Sequence, residues 1–171
     1  MELQPPGLDG LGSLQWLDLA LGDVKNLRPG VFRDLSRLYS IDLSNNHLTL
    51  NKGGFNGLGC LAKLDLRWNS LTKLGAGALD GLTDRLEVLD MRENFLEILE
   101  ADTFVGNLLA LALSSNSIME LQPPILDGLV SLQSLDLPIG DIKNLRPGVF
   151  RDLSDCGRWP IGNVYVNAVI T

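Results

Sequence analysis

The sequence predicts an α/β repeat solenoid, a stack of short strands joined by loops, and three observations predict it. Apolar residues recur in one template: Leu14-x-x-Leu17-x-Leu19, then Leu38-Ile41-Leu43, Leu61-Leu64-Leu66, Leu86-Leu89-Met91, Leu108-Leu111-Leu113 and Leu132-Leu135-Leu137. The template starts at 14, 38, 61, 86, 108 and 132, so it returns after 24, 23, 25, 22 and 24 residues. Eight positions after the first leucine, four of the six units carry an asparagine, and a second apolar column (Phe32, Phe55, Leu79, Phe104, Leu126, Phe150) closes each unit on its far side.

Each element follows from that template. In Leu-x-x-Leu-x-Leu the alternating leucines put one side of a short strand into the interior, while the residues between them face out. A single strand of this kind cannot bury its apolar side, so successive units must stack into a parallel sheet at about 4.8 Å per strand. Length changes of a residue or two fall outside the template, where loops tolerate them and strands do not. The chain then turns inward at Asn46, Asn69, Asn94 and Asn116, followed two residues later by Leu48, Leu71, Leu96 and Ile118. A buried asparagine there can use both its carbonyl and its amide on backbone groups that would otherwise be orphaned. Gly22 and Gly140 replace it in the first and sixth units. Those two turns are expected to be irregular and to draw on water or on the adjacent Asp23 and Asp141.

The motif Leu-x-x-Leu-x-Leu-x-x-Asn-x-Leu, held in register over about residues 1–154, resembles the leucine-rich repeat family. Segments such as Leu27–Phe32 and Asn45–Leu48 are similar to the roughly 24-residue repeats of extracellular animal receptors, of toll-like receptor, chaoptin and variable lymphocyte receptor type. The resemblance implies a curved, right-handed solenoid with the parallel sheet on its concave face and short loops or 3-10 turns on its convex face. It implies an asparagine ladder through Asn46, Asn69, Asn94 and Asn116. The expected domain spans residues 1–154, a partial unit at 1–10 and six repeats, followed by a divergent tail at 155–171.

Residues 1–36 align without a gap to residues 119–154 with 30 of 36 identical, the mismatches falling at 7, 12, 16, 20, 21 and 24. A block 118 residues long has been copied, and Met1 matches Met119, an ordinary position on the convex side of a repeat. This reads as the interior of a longer array, without the Cys-rich N-terminal cap usual in extracellular members of the family. After Ser154 the copy diverges into Asp155-Cys156-Gly157-Arg158-Trp159-Pro160-Ile161. The tail is open to two readings, a foreign end on a truncated or misjoined product, or a degenerate capping repeat with Cys156, Trp159, Ile161 and Val166 in apolar slots. In the second, Pro160 would discourage a further strand, and 163–171 alternates enough to form an edge strand.

Composition narrows the function. With 14 Lys+Arg against 21 Asp+Glu the net charge is −7, which disfavours nucleic acid and anionic membranes as partners. No apolar run approaches the roughly 18 to 20 residues of a membrane span, and MELQPPGLDG lacks the layout of a signal peptide. No Asn-x-Ser/Thr sequon occurs, so an extracellular or cell-surface location rests on the resemblance alone. Cys60 and Cys156 lie four strand steps apart, about 19 Å, against about 7 Å for a disulfide, so they are not expected to bridge. Cys60 reads as a small core residue. One histidine, His47, and two separated cysteines cannot assemble a zinc site, and His47 has no catalytic companions. The segment 75–81, Gly-Ala-Gly-Ala-Leu-Asp-Gly, lacks a P-loop lysine and belongs to a convex segment. No enzymatic constellation, cofactor or metal is expected.

The outward face of the sheet remains. Its central column reads Asp18, Asp42, Asp65, Asp90, Ala112 and Asp136, so like charges at strand spacing favour a basic protein partner. Leu-Asp-Leu is also the family's commonest strand, where Asp serves solubility. Arg67 and Arg92 flank Asp65 and Asp90, so part of the charge is expected to pair across strands. Trp68 with Arg67, Lys63, Arg92 and Glu93 forms a candidate binding cluster, and Trp16 is a second anchor, replaced by Ser134 in the copy. Repeat five is flat and neutral at Ala110, Ala112, Ser114 and Ser115. The sequence therefore points to a non-enzymatic protein-recognition module of a receptor or secreted protein. An intracellular scaffold or adaptor, a regulatory repeat segment of a larger enzyme or kinase-type receptor, and a gene fragment stay open, as does self-association through the end strands.

Overall fold

The computed structural model describes residues 2–75, 77–82, 85–100, 103–104, 106–137, 142–151 and 153. The second glycine turn (Ile139, Gly140, Asp141), Met1, Ala76 of the glycine-rich segment, and the whole tail, including Cys156, Trp159, Pro160, Ile161, Val166 and 163–171, lie outside the described residues.

Twelve short strands are described: β1 (Glu2–Leu3), β2 (Trp16–Asp18), β3 (Asn26–Leu27), β4 (Ser40–Asp42), β5 (Lys63–Asp65), β6 (Lys73–Leu74), β7 (Val88–Asp90), β8 (Ile98–Leu99), β9 (Ala110–Ala112), β10 (Glu120–Leu121), β11 (Ser134–Asp136) and β12 (Asn144–Leu145). The three-residue strands, one per unit, form a six-stranded sheet in the order β2-β4-β5-β7-β9-β11, and every pairing is parallel. The register is that of the template: Leu17 faces Ile41, Ile41 faces Leu64, Leu64 faces Leu89, Leu89 faces Leu111 and Leu111 faces Leu135. An apolar column at constant register cannot slip by one residue without exposing every leucine in it.

The core is the interior of this stack. Ile41, Leu64, Leu89 and Leu111 are at most 1% exposed, and so are Leu38, Leu61, Leu86 and Leu108. Burial of each such side chain contributes roughly 1.5–3 kcal/mol. The far-side column closes the opposite wall, with Phe32, Phe55, Leu79, Phe104 and Leu126 buried and Phe150 partly so.

The return segments are short loops and turns, as expected. Among the described residues there is no helix of any kind; isolated turns with i to i+3 backbone bonds follow one another, as at Val31 N–H to Arg28 O (3.1 Å) and Leu35 N–H to Phe32 O (2.9 Å). Between them, the two-residue strands pair in parallel as β1–β3, β6–β8 and β10–β12. Glycines in the left-handed region interrupt any run of helical dihedrals. At Gly57 (φ 105°) a Cβ would stand 2.4 Å from the Phe32 carbonyl oxygen, so no other residue fits there without displacing backbone.

The asparagine ladder is present as expected. The Asn69 amide donates to the carbonyls of Leu43 (3.0 Å), Leu66 (3.1 Å) and Arg67 (3.3 Å), while its Oδ1 accepts from Leu48 N–H (2.9 Å). Asn94 and Asn116 repeat this pattern, bonding Leu71 N–H and Leu96 N–H of the preceding unit. Each asparagine thus joins its own turn to the unit before it, and all four are 3–5% exposed.

That geometry corrects the expectation at Gly22. Its turn draws on the next unit: Asn46 Oδ1 accepts from Gly22 N–H (3.1 Å) and Val24 N–H (2.8 Å), and the Asn46 amide donates to Leu19 O (2.9 Å). A ladder asparagine always serves the turn behind it, so the first rung needs no amide of its own. The expected irregularity does occur. Both Leu21 (φ 58°) and Asp23 (φ 53°) are left-handed, whereas the turns at Asn45, Trp68, Glu93 and Ser115 each hold one such residue. Cys60 is a second correction: it is a free thiol of intermediate exposure and not a core residue, because it stands before Leu61, where the chain runs along the rim.

Candidate functional site

The outward face is built by strand alternation. With Leu17, Ile41, Leu64, Leu89, Leu111 and Leu135 turned inward, the residues beside them must face out. The central column is in strict register, Asp18 opposite Asp42, Asp42 opposite Asp65, Asp65 opposite Asp90, Asp90 opposite Ala112 and Ala112 opposite Asp136.

These carboxylates have a local role. Oδ1 of Asp18 accepts from Ala20 N–H (2.9 Å), Asp42 from Ser44 N–H (2.8 Å), Asp65 from Arg67 N–H (2.9 Å) and Asp90 from Arg92 N–H (3.2 Å). Each aspartate closes the turn that ends its strand, as short acceptor side chains do two residues before a free amide. Asp136 accepts instead from the Ser114 hydroxyl across the sheet (2.6 Å).

Arg67 and Arg92 pair mainly within their own units, and part of the charge also pairs across strands through Arg67 and Asp90. Arg67 Nη2 meets Asp65 Oδ2 at 2.7 Å and Arg92 Nη2 meets Asp90 Oδ2 at 2.7 Å, and the contact across strands, Arg67 Nε to Asp90 Oδ2, is longer at 3.6 Å. Residues i and i+2 share a face, and the turn has already aimed each carboxylate at residue i+2, so the guanidinium folds back on it. Bonding to Asp65, then its charge, holds the Arg67 guanidinium above its ordinary pKa; bonding to Asp90 does the same for Arg92.

The negative column is therefore not uniform. Asp65 and Asp90 are neutralised, whereas Asp18 and Asp42 have no cation within 4.0 Å among the described residues. Beside those two, Trp16 is 66% exposed and meets Tyr39 edge-on, with centroids 6.3 Å apart and planes at 63°. Lys63 Nζ stands 5.8 Å from the Tyr39 ring centroid. Tyr39, which the sequence did not single out, thus joins Trp16 to Lys63 beside the pair Asp18 and Asp42. Its signal was an aromatic residue in the second position of the template, where the other units carry Gln15, Ala62, Glu87, Leu109 and Gln133.

Trp68 and Glu93 stand apart from this corner. Both lie in the turns beyond the strands, each in left-handed backbone (φ 56°) just before a ladder asparagine, with Trp68 N–H bonded to Arg92 O (3.2 Å) and Glu93 N–H to Ser114 O (3.2 Å). Trp68 is 54% exposed at the rim of the sheet. His47 is exposed and lies 3.6 Å from Asp23. A groove of about 380 Å³ runs along the strand-start edge, lined by Tyr39, Cys60, Ala62, Glu87, Asn107 and Leu109 among others. Among the described residues no group of three His, Cys, Asp or Glu could hold a metal, and no helix is long and apolar enough to cross a membrane.

The leucine-rich repeat family model matches residues 12–71 and 84–139. The chain belongs to the leucine-rich repeat family. Among relatives of this leucine-rich repeat chain, the mouse (Mus musculus) transforming growth factor beta activator LRRC32 is 39% identical over 98 residues, 55% of this chain and 15% of that protein. Mouse Toll-like receptor 9 is 32% identical over 149 residues, 82% of this chain and 14% of the receptor. The crystal structure of the TLR13-ssRNA13 complex superposes with a TM-score of 0.72 at 29% identity, covering 84% of this chain and 23% of that one. The leucine-rich repeat chain therefore spans less than a quarter of the length of each. Its likeness to receptors is a likeness of the repeat array.

Proposed function

We propose that this leucine-rich repeat segment is a non-enzymatic protein-recognition module that binds through the outward, concave face of its sheet. The observation that carries this is the uncovered six-stranded face, whose outward positions hold exposed Trp16 and charged residues, with Trp68 at its rim. Trp and Arg on such a face are the residues that most often dominate binding energy. The contributing residues are Trp16, Asp18, Asp42, Lys63, Asp65, Arg67, Trp68, Asp90, Arg92, Glu93 and Asp136. A relative named as a receptor, Toll-like receptor 9, supports a receptor or secreted recognition protein as the parent. The net charge of −7 favours a protein with a basic surface over nucleic acid; the RNA complex belongs to the structural neighbour.

The test places a photo-crosslinking amino acid at Ser40 on the outward face, or at Gln122 on the return side, and offers a panel of secreted and cell-surface proteins and a single-stranded RNA. Saturable capture of a protein from Ser40 and not Gln122 is expected. Trp68→Ala should then weaken that complex by at least about 1 kcal/mol with the thermal melt unchanged; unaltered affinity would remove Trp68 from the site. Capture from Gln122 alone, or of RNA alone, overturns the reading.

A further inference from the structure

The outward face contains one corner whose chemistry selects a particular side chain. Trp16 and Ser40 are register partners, as are Asp18 and Asp42, so the four positions form a rectangle. Its sides are about 6.7 Å along the strands and about 4.8 Å across them. Trp16 keeps two-thirds of its surface open and stands at the outer strand of the described sheet, held edge-on by Tyr39. The other face-on aromatic position is already used: Lys63 stands over Tyr39, an internal example of this corner receiving a cation. Each of the two carboxylates spends one oxygen on its own turn and leaves Oδ2 without a partner among the described residues.

We infer that this corner receives an arginine side chain of a partner protein, the guanidinium lying on the Trp16 ring with its N–H groups directed to Asp18 and Asp42. This deepens the proposed function and rests on it, since it names the partner chemistry of the same face. Arginine fits better than lysine because a planar guanidinium stacks on an indole while offering several donors in its plane, and a spherical ammonium cannot do both. Elsewhere on the face the same requirement fails. Asp65 and Asp90 are filled by Arg67 and Arg92, and beside Asp136 the copied strand has Ser134 in place of Trp16 and neutral Ala110 and Ala112 as neighbours.

The duplication also supplies substitutions the fold accepts. Trp16→Ser installs the residue that stands at the same place in β11, and Asp18→Asn with Asp42→Asn removes charge while keeping an oxygen to accept the turn amide. The probe is a hexa-arginine peptide, titrated by calorimetry against the 171-residue chain, with hexa-lysine for comparison. We expect hexa-arginine to bind more tightly than hexa-lysine. Trp16→Ser should weaken it by about 3- to 30-fold and the double Asn variant by a similar factor, while Glu97→Gln, which removes one charge beside Gln122 on the return side, changes it less than about twofold. Equal loss with Glu97→Gln would mean that overall charge alone draws the peptide, and binding unaffected by Trp16→Ser would remove the aromatic shelf; either overturns the assignment. Crosslinking from Ser40 to a protein partner together with no effect of Trp16→Ser would leave the face reading standing and this corner refuted, so the two failures are distinct.

Discussion

Residues 2–36 and 120–153 are two copies of nearly one sequence placed at different positions in one stack. Where both are described, their local structures agree. Arg28 pairs with Glu2 at 2.8 Å and Arg146 with Glu120 at 3.4 Å, Arg33 pairs with Asp9, and Arg151 with Asp127 at 2.6 Å. The two-residue strands pair in the same register, Glu2 with Asn26 and Glu120 with Asn144. Burial does not agree. Leu3, Leu8, Leu14, Leu17 and Leu19 are only partly buried, whereas Leu121, Leu126, Leu132, Leu135 and Leu137 are 1–5% exposed. On the other flank the order reverses, with Phe32 fully buried and Phe150 partly so. A leucine in this fold is buried by the units that stack on it: the later copy has the preceding units of the described sheet packed against it, and the first copy stands at the outer strand of that sheet.

That contrast can be broken by paired substitutions. Leu135→Ala should cost about 2–5 kcal/mol, because its side chain is buried and its loss leaves a cavity against the preceding unit. Leu17→Ala should cost less than half as much in the same denaturant titration. Equal losses would mean that the strand, and not its neighbour, sets the value of the side chain.

A smaller effect separates the turns. Asn69→Ala strips the hydrogen-bond partner from Leu48 N–H and one of two donors from each of the Leu43, Leu66 and Arg67 carbonyls, and should cost about 1–3 kcal/mol. A melting temperature equal to that of the parent would contradict the ladder. The Gly22 turn shows why the loss is not repaired: it survives without an amide only because Asn46 of the next unit reaches back to it.

The smallest effect lies in the ion pairs. Hydrogen bonding from Arg28, then its charge, holds the Glu2 carboxyl below its ordinary pKa. A depressed carboxylate contributes stability above its unfolded pKa and loses it as pH falls through the lowered folded value. Carboxyl NMR should therefore show Glu2 titrating below an ordinary glutamate and returning upward in Arg28→Ala. The melt should be unmoved in that variant, since exposed pairs contribute little.

Much of the molecule was legible in the chain. Leu17, Ile41, Leu64, Leu89, Leu111 and Leu135 lie in one column because period and alternation are properties of each unit alone. The same reasoning gave the asparagine rungs and the outward aspartates. Other features were not legible because they depend on what stands one strand away: that Asn46 serves Gly22, that Arg67 and Arg92 fold back on their own aspartates, that Cys60 sits at the rim, and that Tyr39 joins Trp16 to Lys63.

The sequence by itself determined the repeat, its register and which residues face in or out, since a template that recurs every 22 to 25 residues admits one stacking. Only the tertiary structure decided which aspartates keep a free oxygen, which tryptophan joins them, and which copy of a leucine is buried. Charge pairing and burial are set across the roughly 4.8 Å between neighbouring strands, and two units of the same sequence can have different neighbours.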